Sequence, residues 1–179
     1  VTHSVPWVTA ALSGAVVALF VVAGAPEALM LGGSGPWRWL TAHAVHLSVD
    51  HLLYDALAFA VLGTVVELRS RTSLLAVLLV AALAVSGYAA WALPTGASYG
   101  GLSGIDAALT AAVVVQLLES PDRRPGALLG LAFGAKLLLE QTSGGALLAE
   151  GLHLPAVHLV GAAAGAAVAA VGSRLQRPT

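Results

Sequence analysis

Apolar residues in this chain come in long unbroken runs separated by short polar, glycine- or proline-bearing stretches. They show neither the two-residue alternation of a half-buried strand nor the narrow stripe of a surface helix. The runs fall at about Val5 to Gly24, Val45 to Leu68, Thr72 to Leu93, Ser103 to Leu118, Gly126 to Leu139 and Pro155 to Gly172. A helix crossing a bilayer needs roughly 17 to 25 predominantly apolar residues, so the pattern predicts six spans. The fifth and fourth are short, which predicts a bundle that thins the bilayer or hides helix ends inside protein. Few residues precede the first run, only the tail from Arg174 to Thr179 follows the last, and no repeat stands out, so residues 1–179 read as one domain. The expected fold class is an all-α membrane protein, a six-transmembrane-helix bundle.

Composition agrees: 58% of the residues are hydrophobic and 9% are charged, the balance of an integral membrane protein. A net charge of -1 offers no basic face to nucleic acid. The absence of cysteine excludes a disulfide framework, a thiol nucleophile and a thiolate metal site. The first run lacks a basic leader and a cleavage site, and reads as a retained helix. Arg69, Arg71, Arg123, Arg124, Arg174 and Arg177 lie in one set of connections; Arg38, Glu27, Glu140 and Glu150 lie in the other. The excess of arginine predicts cytoplasmic termini. Spans two, four and six then begin on the outer side, where His46, His51, Ser103 and His158 converge.

The second span carries Asp50, His51 and Asp55, and ionisable groups at membrane depth cost on the order of 2.5 to 3.5 kcal/mol each. His51 and Asp55 are four apart and share a helix face. Polar glue between helices is one account. A metal site built from His43, His46, Asp50 and His51 is another, weakened because the step from His46 to His51 divides the cluster between faces. Ser103 opens an apolar run behind Tyr99-Gly100-Gly101-Leu102, at a helix N-terminus where backbone donors and the dipole favour developing negative charge. His158 opens another run, with Gly161 and Gly165 on its own face as a close-packing stripe. A serine and a histidine so placed are candidates for a nucleophile and its base.

With Trp37-Arg38, then His46, His51 and Asp55, then Gly101-Leu102-Ser103-Gly104, then His158 with Gly161 and Gly165, the chain resembles the rhomboid intramembrane serine proteases in order and spacing. Its minimal six-span body looks most like the rhombosortase branch. The resemblance implies a rhomboid-like bundle in a bacterial inner membrane, with the active site opening to the outer side and neither metal nor cofactor. It also implies a Ser103–His158 dyad that cleaves membrane-anchored proteins, with C-terminal Gly-Gly-type anchors expected from the rhombosortase likeness. His51, the backbone N–H of Ser103 and the Gly100-Gly101 turn would be the oxyanion donors, with His43, Asp50 and the outer loop lining a water-accessible pocket. No carboxylate partner for His158 is evident in the sequence, and none is expected. Asp55 departs from the family, which commonly has asparagine there. An ionised aspartate only accepts, so Asp55 either is protonated or orients His51, and the second role is favoured. Two other classes remain open: an inactive client-binding protein of the same fold, and a small transporter or proton relay using His51, Asp55 and Asp106.

Overall fold

The computed structural model describes residues 5–143, 154 and 156–175, and its regular elements are helical. In chain order they are α1 (Trp7–Ala23), a short α2 (Arg38–Thr41), α3 (Val49–Arg69), α4 (Arg71–Ala92), α5 (Ser103–Leu118), α6 (Arg124–Ser143) and α7 (Ala156–Leu175). Six of these are long and match the six expected spans. By length and composition α3, α4 and α7 can each cross a membrane, while α1 and α5 are apolar but shorter. Glu150, Pro155 and Arg177 lie outside the described residues.

Two boundaries differ from the sequence reading, each for a local reason. The second span starts at Val49, not Val45, because Ser48 is extended and its hydroxyl accepts the His51 N–H, capping the helix. The fifth runs on to Ser143 and is not short. Glu140, expected in a loop, is therefore inside α6 and only 2% exposed.

The short helix α5 is the hub, packed by α3, α4, α6 and α7. Gly104 through Leu109 and Ala111 through Val113 are all buried. Sixteen residues suffice because protein surrounds this helix where lipid would otherwise have to. Phe59, Val66, Leu74, Val77 and Ala81 join its Leu109 in the core, while Leu53, Leu57, Val61, Leu79, Leu131 and Leu138 are exposed apolar side chains.

At one end of the bundle Glu67 of α3 clamps the start of α1. Its carboxylate accepts from the backbone N–H of Val8 (3.1 Å) and of Thr9 (2.7 Å), from the Thr9 hydroxyl (2.8 Å) and from Arg71 Nε (3.2 Å). Those backbone donors are among the first N–H groups of a helix, which have no partner within it. At the other end α3, α5 and α7 all begin, beneath the 24–48 loop. Arg38 ties that loop together by donating to the Glu27 and Met30 carbonyls at 3.0 and 2.9 Å.

Candidate active site

The loop before α5 is held on both sides. Tyr99 exchanges backbone hydrogen bonds with Leu31, and the Gly101 N–H donates to the Ala42 carbonyl at 3.1 Å. Gly101 has φ of +129°, which side chains other than glycine rarely adopt, and a Cβ there would stand 2.9 Å from the His51 ring. A Cβ on Gly100 would meet the Val45 carbonyl oxygen at 2.9 Å. Both glycines are thus required for close approach. The Gly101 N–H, however, is already engaged, so the expectation that it donates to an oxyanion is corrected. The open donors lie one step on, at the start of α5, where no side chain caps the helix.

Ser103 is the first residue of α5, and the buried Tyr99 hydroxyl lies beside it without a full hydrogen bond. His158 is in the first turn of α7 and buried. What sets these two helix starts against each other is backbone contact. A Cβ on Gly161 would overlap the Gly104 carbonyl oxygen, and one on Gly165 the Ala108 carbonyl oxygen. The helices touch at the residue that follows Ser103, about one turn below His158, and again a turn further on at Ala108 and Gly165.

His158 also has a partner that sequence reasoning missed. Its Nδ1 lies 2.8 Å from Glu140 Oε2, while Glu140 Oε1 accepts from Lys136 Nζ at 2.7 Å. The expectation of no carboxylate at His158 is therefore overturned. The signal available was the i, i+4 spacing of Lys136, inside the fifth apolar run, and Glu140, which charge counting had assigned to a connection.

Asp55 sits between two imidazoles, with Oδ2 3.3 Å from His46 Nε2 and 3.2 Å from His51 Nε2. These are ion-pair distances whose angles fall short of hydrogen bonds. The expected pairing with His51 is present, and His46 joins it from the loop. Asp55 is near enough to act electrostatically on Asp106, Tyr99 and His158, so these groups form one neighbourhood. Both carboxylate oxygens of Asp106 are buried and unpartnered.

His43 does not face outward from the loop. It is buried, with Nε2 3.1 Å from both the Ala82 carbonyl and the Ser86 hydroxyl, and Nδ1 3.4 Å from the Gly101 carbonyl. Burial holds its pKa below the ordinary 6.5, so the ring is neutral near pH 7 and bolts the loop to α4. Asp50 is exposed in the first turn of α3. Of the four residues of the metal reading only His46 and His51 come together, and among the described residues no three His, Asp or Glu side chains are arranged to hold a metal ion.

The family model of the rhomboid domain matches residues 33–175, from the loop through α7. The chain belongs to the rhomboid family. Among curated relatives it is similar to rhomboid protease GlpG of Yersinia pestis (strain Pestoides F), 36% identical over 87 residues, which are 49% of this chain and 31% of the relative. The same protease of Photorhabdus laumondii is 32% identical over 95 residues, 53% of this chain and 33% of the relative. The matched stretch thus spans about a third of the length of these rhomboid relatives. The rhomboid match takes in Ser103, His158, Asp55 and Glu140 alike.

Proposed function

We propose that this chain is an intramembrane serine endopeptidase whose nucleophile is Ser103 and whose base is His158. The observation that carries the reading is the glycine-mediated contact of α7 on α5, which brings the two helix starts together beside a loop that Gly100 and Gly101 let pack closely on Val45 and His51. In the reaction His158 takes the Ser103 proton as Oγ bonds to the scissile carbonyl carbon, giving a tetrahedral oxyanion. Backbone N–H groups at the start of α5, with His51, face that charge, and losing one such donor typically costs about 10²- to 10³-fold in rate. Collapse breaks the C–N bond, His158 protonates the leaving amine, and water activated by the same imidazole releases the acyl group.

The substrates are membrane-anchored proteins, with C-terminal Gly-Gly-type anchors the class that the rhombosortase likeness favours. The excess of arginine at the far end supports a cytoplasmic placement of that end, the rhomboid likeness supports an inner membrane, and cleavage then occurs near the outer boundary, where water can enter. Labelling of detergent-purified protein with a fluorophosphonate tests the chemistry. Ser103→Ala and His158→Ala should each abolish labelling, and the double variant should be no worse, since the two act as a unit. Labelling of Ser103→Ala at the normal rate would sink the assignment.

A further inference from the structure

Every buried cluster outside the proposed serine and its base raises the same question, whether it ties helices together or serves the chemistry. The cluster at Glu140 answers it most directly. Glu140 and His158 are both buried, and among the described residues the carboxylate has one partner per oxygen: Lys136 Nζ at 2.7 Å on Oε1 and His158 Nδ1 at 2.8 Å on Oε2. A carboxylate beside an ammonium is an acceptor, so Nδ1 of His158 must be the nitrogen that carries the proton. That fixes the tautomer. Nε2 is then the unprotonated nitrogen, the only one left to take a proton from a serine.

A purely structural account fits less well. Buried ion pairs are weak sources of stability, because desolvation offsets most of the attraction. Moreover α6 packs mainly on α5 and meets α7 only thinly, so this bond secures no extensive helix interface. It does land on the ring that serves as base in the proposed chemistry. Lys136 lies a helical turn from Glu140 with its side chain partly exposed, and supplies the countercharge the buried carboxylate requires.

We propose that Glu140 is the positioning residue of the site, a carboxylate that holds His158 in the Nδ1–H tautomer and stabilises the imidazolium formed when Ser103 is deprotonated. The inference rests on the serine-protease reading above and turns its dyad into a Ser103–His158–Glu140 relay anchored by Lys136. Glu140 itself takes no proton: the Ser103 proton moves to His158 Nε2 and from there to the leaving amine, while Nδ1–H stays hydrogen-bonded to the carboxylate throughout.

The test couples a tautomer readout to a rate. Imidazole nitrogen NMR of ¹⁵N-histidine-labelled protein in detergent should show His158 protonated at Nδ1 in the wild type, the resonance being assigned by its loss in His158→Ala. In Glu140→Gln that signature should be lost or mixed. Fluorophosphonate labelling should fall at least about 10²-fold, toward the ~10⁴-fold typical of neutralising a triad carboxylate. Glu140→Asp should recover part of the rate. If Glu140→Gln does not fold, Lys136→Gln, altered at a partly exposed position, should still mix the tautomers and slow labelling several-fold. Unchanged tautomer and labelling in the folded variants would overturn the positioning role and leave the protease reading standing. A wild type that takes no label, with His158 still locked at Nδ1, would refute the protease reading and the relay with it.

Discussion

Two buried carboxylates of the same helix, Glu67 and Asp55, are provided for in opposite ways. Glu67 receives two backbone N–H groups, a hydroxyl and a guanidinium, and each of those donors needed an acceptor. Asp55, three turns away at the other end of α3, has two imidazoles at ion-pair distance and no well-formed hydrogen bond, with Asp106 unpartnered close by. Buried polar groups are normally satisfied, and those that are not mark places where the fold carries a cost for some other reason. One end of the bundle is finished as structure, while the other holds polar capacity in reserve at the position where Ser103 and His158 begin their helices.

Four experiments would break or sharpen that contrast. The largest effect should come from Gly161→Leu, because a side chain there must displace the Gly104 carbonyl and part α5 from α7. A ~1 Å shift can cost about 10²-fold, so probe labelling should drop by at least that much, and full activity would mean that the two helix starts are not set by this contact.

Glu67→Ala should do the reverse. It strands buried donors at about 1 to 3 kcal/mol each, so denaturant unfolding in detergent should show a loss of about 3 kcal/mol, with the labelling rate of the folded fraction unchanged. A large rate loss in the folded fraction would erase the division between the ends.

Asp55→Asn is a smaller change. Stability should move by less than about 1 kcal/mol, since no full hydrogen bond is broken. Activity should fall about tenfold, because an amide oxygen is a weaker acceptor for His46 and His51 than a carboxylate. Wild-type activity across the pH range would remove the orienting role from Asp55.

The smallest effect concerns His43, whose folded pKa is depressed by burial from the ordinary 6.5. Above 6.5 the ring is neutral folded or unfolded and costs nothing. As pH falls from there toward the folded value, only the unfolded state takes up the proton, so stability is lost. Melting in detergent should therefore decline below about pH 6.5, and His43→Asn should flatten that slope by at most about 1.4 kcal/mol per pH unit. A slope identical in His43→Asn would mean that the loop bolt does not titrate.

Much of the architecture was legible because it is local. Run lengths marked the six long helices, and the serine and histidine that open two of them could be placed at one end by counting spans. The small residues at Gly161 and Gly165 announced a close contact because only glycine admits another backbone so near. One boundary slipped where a capping interaction outweighed hydropathy, since Ser48 starts α3 four residues later than the apolar run, and another where α6 continues through Glu140 although charge suggested a loop.

The chain alone therefore determined its membrane setting, its helices and the end of the bundle at which the candidate residues gather, since burial of backbone polar groups in a bilayer leaves a long apolar run little choice but a helix. Only the tertiary structure decided which polar groups meet. Glu140 on His158, His46 beside Asp55 and the Gly101 N–H on Ala42 all depend on how neighbouring helices and loops are rotated against one another. A helix that is apolar all round carries no stripe to reveal that rotation; side-chain packing sets it, and packing is settled when the bundle closes.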